Sequence, residues 1–312
     1  MSIRRPSTWG RGLYDAVVDP VEHWVDRRSE SVPLLQLLPA LSLVTLLLGG
    51  ALTIVAAYSV LEQAPFQAGV GLTLSNYATV LTTPYYLRVF GESFLVAVGV
   101  TALSLLVAYP AAYHIAFMDS EYKQLYLLSL VLPFWINLIV RTFAWQLILG
   151  ESGLVNYLLV DALGVLGEPL KLLFSTGAIV VGLVHVFLPF AVIPLYTSLR
   201  RVDRAHVEAA QNLGANRLQA FVEVVLPQTA PGVAASAVIV FVLSFGSFVI
   251  PDMLGGQGNL MIGNIIAQLF GPRFDWALGS AMASVFVAVV AVLVYLFNRS
   301  MGLQDLYGGE TA

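Results

Sequence analysis

The chain contains no cysteine, which excludes disulfides, thiolate nucleophiles and cysteine metal sites. Charge is scarce as well. Only 11% of the 312 residues are charged, against roughly 25% in soluble domains. With 58% of the residues apolar, no soluble fold of this length could hide its apolar surface, so the bilayer is the expected solvent. A net charge of -4 does not mark a nucleic-acid partner, and none is expected. A GxxxxGK[ST] phosphate loop is missing too: Lys123 and Lys171 lack the preceding glycines. Any ATP-driven work must therefore use an ATPase on another chain. No Ser-His-Asp set or paired-carboxylate site is legible, so the chain does not read as an enzyme. His114 and His185 fall in different apolar segments without a second ligand at metal spacing, and read as helix-packing polar contacts.

What the chain does have is long apolar runs. Residues 1–32 are polar and mixed in charge, and read as a cytosolic extension, either an amphipathic surface helix or a loose tail. No apolar core appears before Pro33, which argues against a cleaved signal peptide. Residues 33–299 then hold six apolar segments, near 34–61, 94–118, 125–149, 173–199, 229–250 and 276–297. Each exceeds the ~20 residues that span hydrocarbon. Backbone within lipid must satisfy its own hydrogen bonds, so the segments are expected as helices; the alternation of a barrel is missing. The expected fold class is an all-α membrane protein with six transmembrane helices. Pro110, Pro133, Pro189 and Pro194 are expected to kink them. Residues 300–312 form a short tail.

Orientation follows from the basic residues. With the amino terminus inside, the extension, Lys123, Arg200, Arg201, Arg204, Arg217 and Arg299 are cytosolic, and only Arg88, Lys171 and Arg273 fall outside. Both termini and the polar stretch 203–227 are then cytosolic. The loops on the other side, near 71–87, 151–171 and 251–275, are longer than simple turns need, and Ser75 looks like a helix cap.

Residues 207–227 read VEAAQNLGANRLQAFVEVVLP and organise the rest. They look like two short helices around a bend. Asp203 is placed to cap the first helix and Asn216 the second. Gly214 suits the left-handed residue that ends a helix, and Pro227 is expected to limit the second helix. Ala209 and Ala210 keep the surface low, so another protein's backbone can come close.

This stretch resembles the EAA motif of ABC-importer permeases: Glu-Ala-Ala, three residues, Gly, nine residues, an aliphatic, one residue, then Leu-Pro. Only Val224, where isoleucine is usual, departs from it. LPFWINLIVRTFAW at 132–145, VFLPFAVIPLYTSLRRVD at 186–203, LPQTAPG at 226–232, PDMLGGQGNLMIGNII at 251–266 and DWALGSAM at 275–282 are similar to permeases of the spermidine/putrescine type. The likeness spans about three quarters of the chain.

The resemblance implies the type I ABC importer permease fold, in a bacterial cytoplasmic membrane, with 203–227 as the coupling loop. It also implies two copies of an ATPase carrying ATP and Mg, with no cofactor on this chain. A second, related permease subunit and an extracytoplasmic solute-binding protein complete the assembly. Within the loop it points to Glu208, Ala209, Ala210 and Gly214 as the ATPase-coupling residues. The expected cargo is a polyamine; an opine or amino-acid derivative carried by the same machine is the alternative, and a secondary carrier without an ATPase is a second one.

For a polycation, aromatic faces and carboxylates are the fitting wall. Trp135, Tyr196 and Asp252 are the candidates. Arg141 is an ion inside an apolar segment, so it reads as a pore or subunit-contact residue, or as a side chain snorkelling to a headgroup.

Overall fold

The computed structural model describes residues 39–62 and 71–300. The expected extension over 1–32 and residues 301–312 of the expected tail lie outside the described residues. The helices are α1 (Pro39–Ser59), α2 (Ser75–Thr82), α3 (Pro84–Phe117), α4 (Lys123–Val131) and α5 (Leu138–Leu149). They continue with α6 (Thr176–Leu199), α7 (Arg204–Asn212), α8 (Arg217–Phe245), α9 (Val249–Gly255), α10 (Ile262–Phe270) and α11 (Trp276–Ser300). A short helical piece, Leu154–Asn156 and Tyr157–Ala162, carries α5 onward past Gly150. Among the described residues, six helical stretches are long and apolar enough to cross a membrane. The chain divides at residue 57 into two units. The first holds most of α1, with a wide π-type turn at Thr45–Gly49. The second holds everything from Tyr58 onward.

Within the second unit, α3, α6 and α8 form the centre. The Tyr109 hydroxyl of α3 meets Thr229 Oγ1 in the first half of α8 at 2.8 Å, and Phe94 meets Phe241 near its end. The two helices are therefore antiparallel. Ser236 Oγ of α8 donates to the Ala191 carbonyl of α6 at 2.8 Å, and Gly232 lies beside Pro194 and Ser198. So α6 is antiparallel to α8 and parallel to α3. Small residues make this approach possible, as expected where lipid supplies no hydrophobic drive between helices. A Cβ on Gly232 would lie 2.9 Å from the Pro194 carbonyl oxygen and 2.4 Å from Ser198 Cβ. Because backbone cannot swing aside, Gly232→Val should destabilise the detergent-solubilised chain by about 1–3 kcal/mol, the range of overpacking effects. A thermal melt unchanged from wild type would contradict this packing.

Several expectations need correction. The second apolar segment begins at Pro84, not near residue 94. Pro84 opens the helix, where its missing N–H does no harm. Arg88 and Glu92 pair at 2.7 Å one turn apart, so charge depresses the hydropathy without breaking the helix.

The third segment, expected at 125–149, is two pieces. After α4, Leu132–Trp135 forms a tight 3-10 turn, Ile136 is extended, and Asn137 restarts the chain as α5 by accepting the Ile139 N–H at 2.8 Å. Pro133 therefore breaks this segment and does not merely kink it. The membrane-long stretch is Leu138–Ala162, which takes up half of the expected loop over 151–171.

Ser75 is the first residue of α2, not its cap; its own N–H donates to Thr73 Oγ1. The loop near 251–275 is mostly helix, holding the end of α9 and all of α10.

Candidate coupling site

The loop over 203–227 is built from hydrogen bonds the sequence spells out. Asp203 accepts the Ala205 N–H at 2.9 Å and starts α7. At the other end the Gly214 N–H donates to the Gln211 carbonyl and the Ala215 N–H to the Ala210 carbonyl, both at 3.0 Å. These paired bonds are the Schellman arrangement, which needs a left-handed residue between them. Gly214 supplies it with φ +99°. Asn216 and Gln219 then exchange side-chain-to-backbone bonds of 2.9 Å, a reciprocal cap that opens α8.

The second helix differs from expectation. It does not stop at Pro227 but runs on as the membrane helix α8. Proline normally clashes with the carbonyl four residues back. Here the backbone widens into a π-type turn over Phe221–Val225, with the Leu226 N–H reaching back to Phe221, and the helix passes the proline. The motif's Leu-Pro is thus the entry to a transmembrane helix, and the loop is rigidly joined to it.

Glu208, Ala209 and Gly214 are exposed and Ala210 is half-buried. Glu208 does not cap α7, because Asp203 already does. No hydrogen bond or ion pair engages its carboxylate among the described residues, although it lies one turn from Arg204 and adds to the field there. Two apolar side chains that the sequence reading passed over stand out beside it: Leu213 is 90% exposed and Leu218 71%. The signal was present, since both are leucines in an otherwise polar stretch.

The substrate-path candidates do not gather at one point. Tyr196 sits near the α7 end of α6, half-buried, with the Arg200 guanidinium 5.8 Å from its ring centroid. Trp135 is 80% exposed in the turn before α5, level with Phe190, which packs on its neighbour Phe134. Asp252 is exposed on α9, beyond the far end of α8. The three lie at successive levels along the bundle. Arg141 does not snorkel: it is 7% exposed, its Nε and Nη1 have no hydrogen-bond partner among the described residues, and its guanidinium lies 5.9 Å from the Phe134 ring. Nearby, Trp145 donates to His185 Nδ1 at 3.2 Å, the packing role expected for His185.

Residues 123–305 match the family described as binding-protein-dependent transport system inner membrane component. The chain belongs to that permease family. It is 35% identical over 234 residues to the spermidine/putrescine transport system permease protein PotB of Haemophilus influenzae, covering 75% of this chain and 81% of that one. The PotB of Escherichia coli K12 is 35% identical over 233 residues, covering 75% and 84%. The E. coli inner membrane ABC transporter permease protein YdcU is 29% identical over 249 residues, covering 75% and 77%. Among solved structures, a bacterial ABC transporter involved in import of the acidic polysaccharide alginate superposes with a TM-score of 0.68 at 18% identity, covering 90% of this chain and 98% of that one. The importer-permease fold is thereby shown. The permease is a multi-pass membrane protein, nearly all helical among the described residues, and the reading as a carrier independent of an ABC system falls away.

Proposed function

We propose that this permease is the membrane subunit of an ATP-driven importer of polyamines. The observation that carries the substrate class is the 35% identity to spermidine/putrescine permeases along three quarters of the chain. Two copies of an ATPase, loaded with ATP and Mg, sit under this subunit and a related second permease, and a solute-binding protein delivers cargo from the opposite side. Both termini and α7 are cytosolic. On this reading α7 is the part the ATPase grips. Its support is physical: a short rigid helix closed at both ends, a low alanine surface, an unengaged carboxylate at Glu208 and two exposed leucines. ATP binding draws the two coupling loops together, and hydrolysis releases them. Trp135, Tyr196 and Asp252, at their successive levels, form a stepped lining for a long polycation, with aromatic faces and a carboxylate that attract ammonium groups. Arg141, buried against the Phe134 ring, stands off that lining and acts within the fold.

Opines and other small solutes are the second reading, favoured by the breadth of cargo on this fold: the 18%-identical neighbour carries alginate. The complete importer in proteoliposomes should take up radiolabelled spermidine only with ATP inside and binding protein outside, and putrescine should compete. If neither polyamine is taken up while an opine or amino-acid derivative is, the polyamine assignment is wrong.

A further inference from the structure

The loop over 203–227 is covalently continuous with α6 and α8 but not with α3, the third helix of the central group. Packing on α6 and α8 links α3 to the loop along its length; what remains is how the C-terminal end of α3 is tied to α7 itself. Arg204, the first residue of α7, reaches back to the end of α3. Its Nη1 and Nη2 donate to Asp119 Oδ2 and Oδ1, each at 2.8 Å, and Nη2 also donates to the Phe117 carbonyl at 2.7 Å. Its guanidinium lies 5.8 Å from the Phe117 ring centroid. From the other side, Lys123 Nζ at the start of α4 donates to the Ala116 carbonyl at 2.7 Å. Two cations thus satisfy two of the carbonyls that α3 leaves open at its C-terminus, where the helix dipole favours positive charge.

The ion pair is solvent-exposed, with side chains 47% and 81% accessible. Such pairs contribute little to folding. What a forked guanidinium does contribute is direction: two parallel bonds and a third to backbone fix both distance and angle. The Arg204 guanidinium holds the Asp119 carboxyl below its usual range, so the pair stays charged at neutral pH. Near this end of α3, Phe221 also packs edge-on against Tyr109 and Tyr113, and the Tyr109 hydroxyl meets Thr229 Oγ1 at 2.8 Å two residues beyond the loop. Ring contacts of that kind can slide; the fork cannot.

The geometry points to Arg204 and Asp119 as a strut that makes α3 follow the coupling helix. This rests on the reading of α7 as the ATPase-bound element. Arg204 is a positioning residue: it touches neither nucleotide nor solute. When the strut is cut, the ATPase still docks and still hydrolyses ATP, but the end of α3 no longer follows α7 in step, and cycles pass without transport.

The test uses the complete importer in proteoliposomes, with Asp119→Ala, Arg204→Ala, the double variant and Arg204→Lys. The readout is solute taken up per ATP hydrolysed. Each single variant should lower that ratio at least about five-fold, the low end of ordinary coupling energies. The double variant should be no worse than Arg204→Ala, because the two residues act through each other. Arg204→Lys should not rescue, since lysine keeps the charge and loses the fork. An unchanged ratio in Asp119→Ala, or single effects that multiply in the double variant, overturns the strut, and Asp119→Ala decides the matter should Arg204 variants fail to assemble. Co-purification of the wild-type permease with its ATPase is scored separately. Its absence overturns the coupling reading itself; its presence with an unchanged ratio overturns only the strut.

Discussion

Gly214→Val should cut solute uptake sharply while leaving the membrane helices folded. A Cβ at Gly214 would meet nothing within 4 Å, so the substitution does not act through a clash. It acts through the backbone. At φ +99° a β-branched residue is a severe outlier, and holding it there costs about 1–3 kcal/mol. The Schellman bonds from Gly214 and Ala215 to Gln211 and Ala210 close only with this residue left-handed. Without them the end of α7 frays and its angle to α8 is no longer set. Uptake should fall at least about tenfold, well inside the ~5–150-fold span of ordinary coupling energies. Far-UV circular dichroism and the thermal melt of the solubilised permease should barely move, because no buried residue is touched. Gly214→Asn is the control: asparagine tolerates the left-handed region and should keep much of the activity. Wild-type uptake in Gly214→Val would remove the bend from the mechanism.

The bend was legible because each of its bonds is local. Asp203, Gly214 and Asn216 act on neighbours within a few residues, and their chemistry states which backbone group each satisfies. The six-helix class was legible for a different reason: apolar runs of membrane length admit few backbone solutions. Boundaries were less so. Charges at Arg88 and Glu92 masked the first turns of α3, although they satisfy each other across one turn. Pro133 and Pro227 show the limit of reading proline alone. The first breaks its segment, because the chain after it is recaptured by the Asn137 cap. The second leaves its helix unbroken, because a π-type turn makes room. The strut could not be read at all. Asp119 and Arg204 are 85 residues apart, and only the parallel packing of α3 and α6 brings them together. The same holds for Arg141, whose burial against Phe134 depends on the turn at Leu132–Trp135 that no periodicity announces.

Leu213→Asp should leave the permease intact and remove its ATPase. Leu213 is 90% exposed at the capping position of α7, so its replacement takes away almost no internal packing. Surface changes of that kind usually fall within about 0.5 kcal/mol for folding. Exposure of a leucine in water has no such excuse on the functional side. If α7 docks in a groove of the ATPase, burying this side chain stabilises the complex by about 1.5–3 kcal/mol, and an aspartate there adds an unpaired charge to be desolvated. The affinity of the purified ATPase for the permease in nanodiscs should therefore drop at least about tenfold, the factor that ~1.4 kcal/mol represents. Glu208→Gln probes the other side of α7. Its loss should be larger at low salt if the carboxylate meets a basic ATPase residue near the rim, because rim charges are screened. Leu213 should show little salt dependence, since apolar burial is not screened. Equal binding by wild type and Leu213→Asp would mean that the ATPase does not cover this face of α7, whatever else it touches.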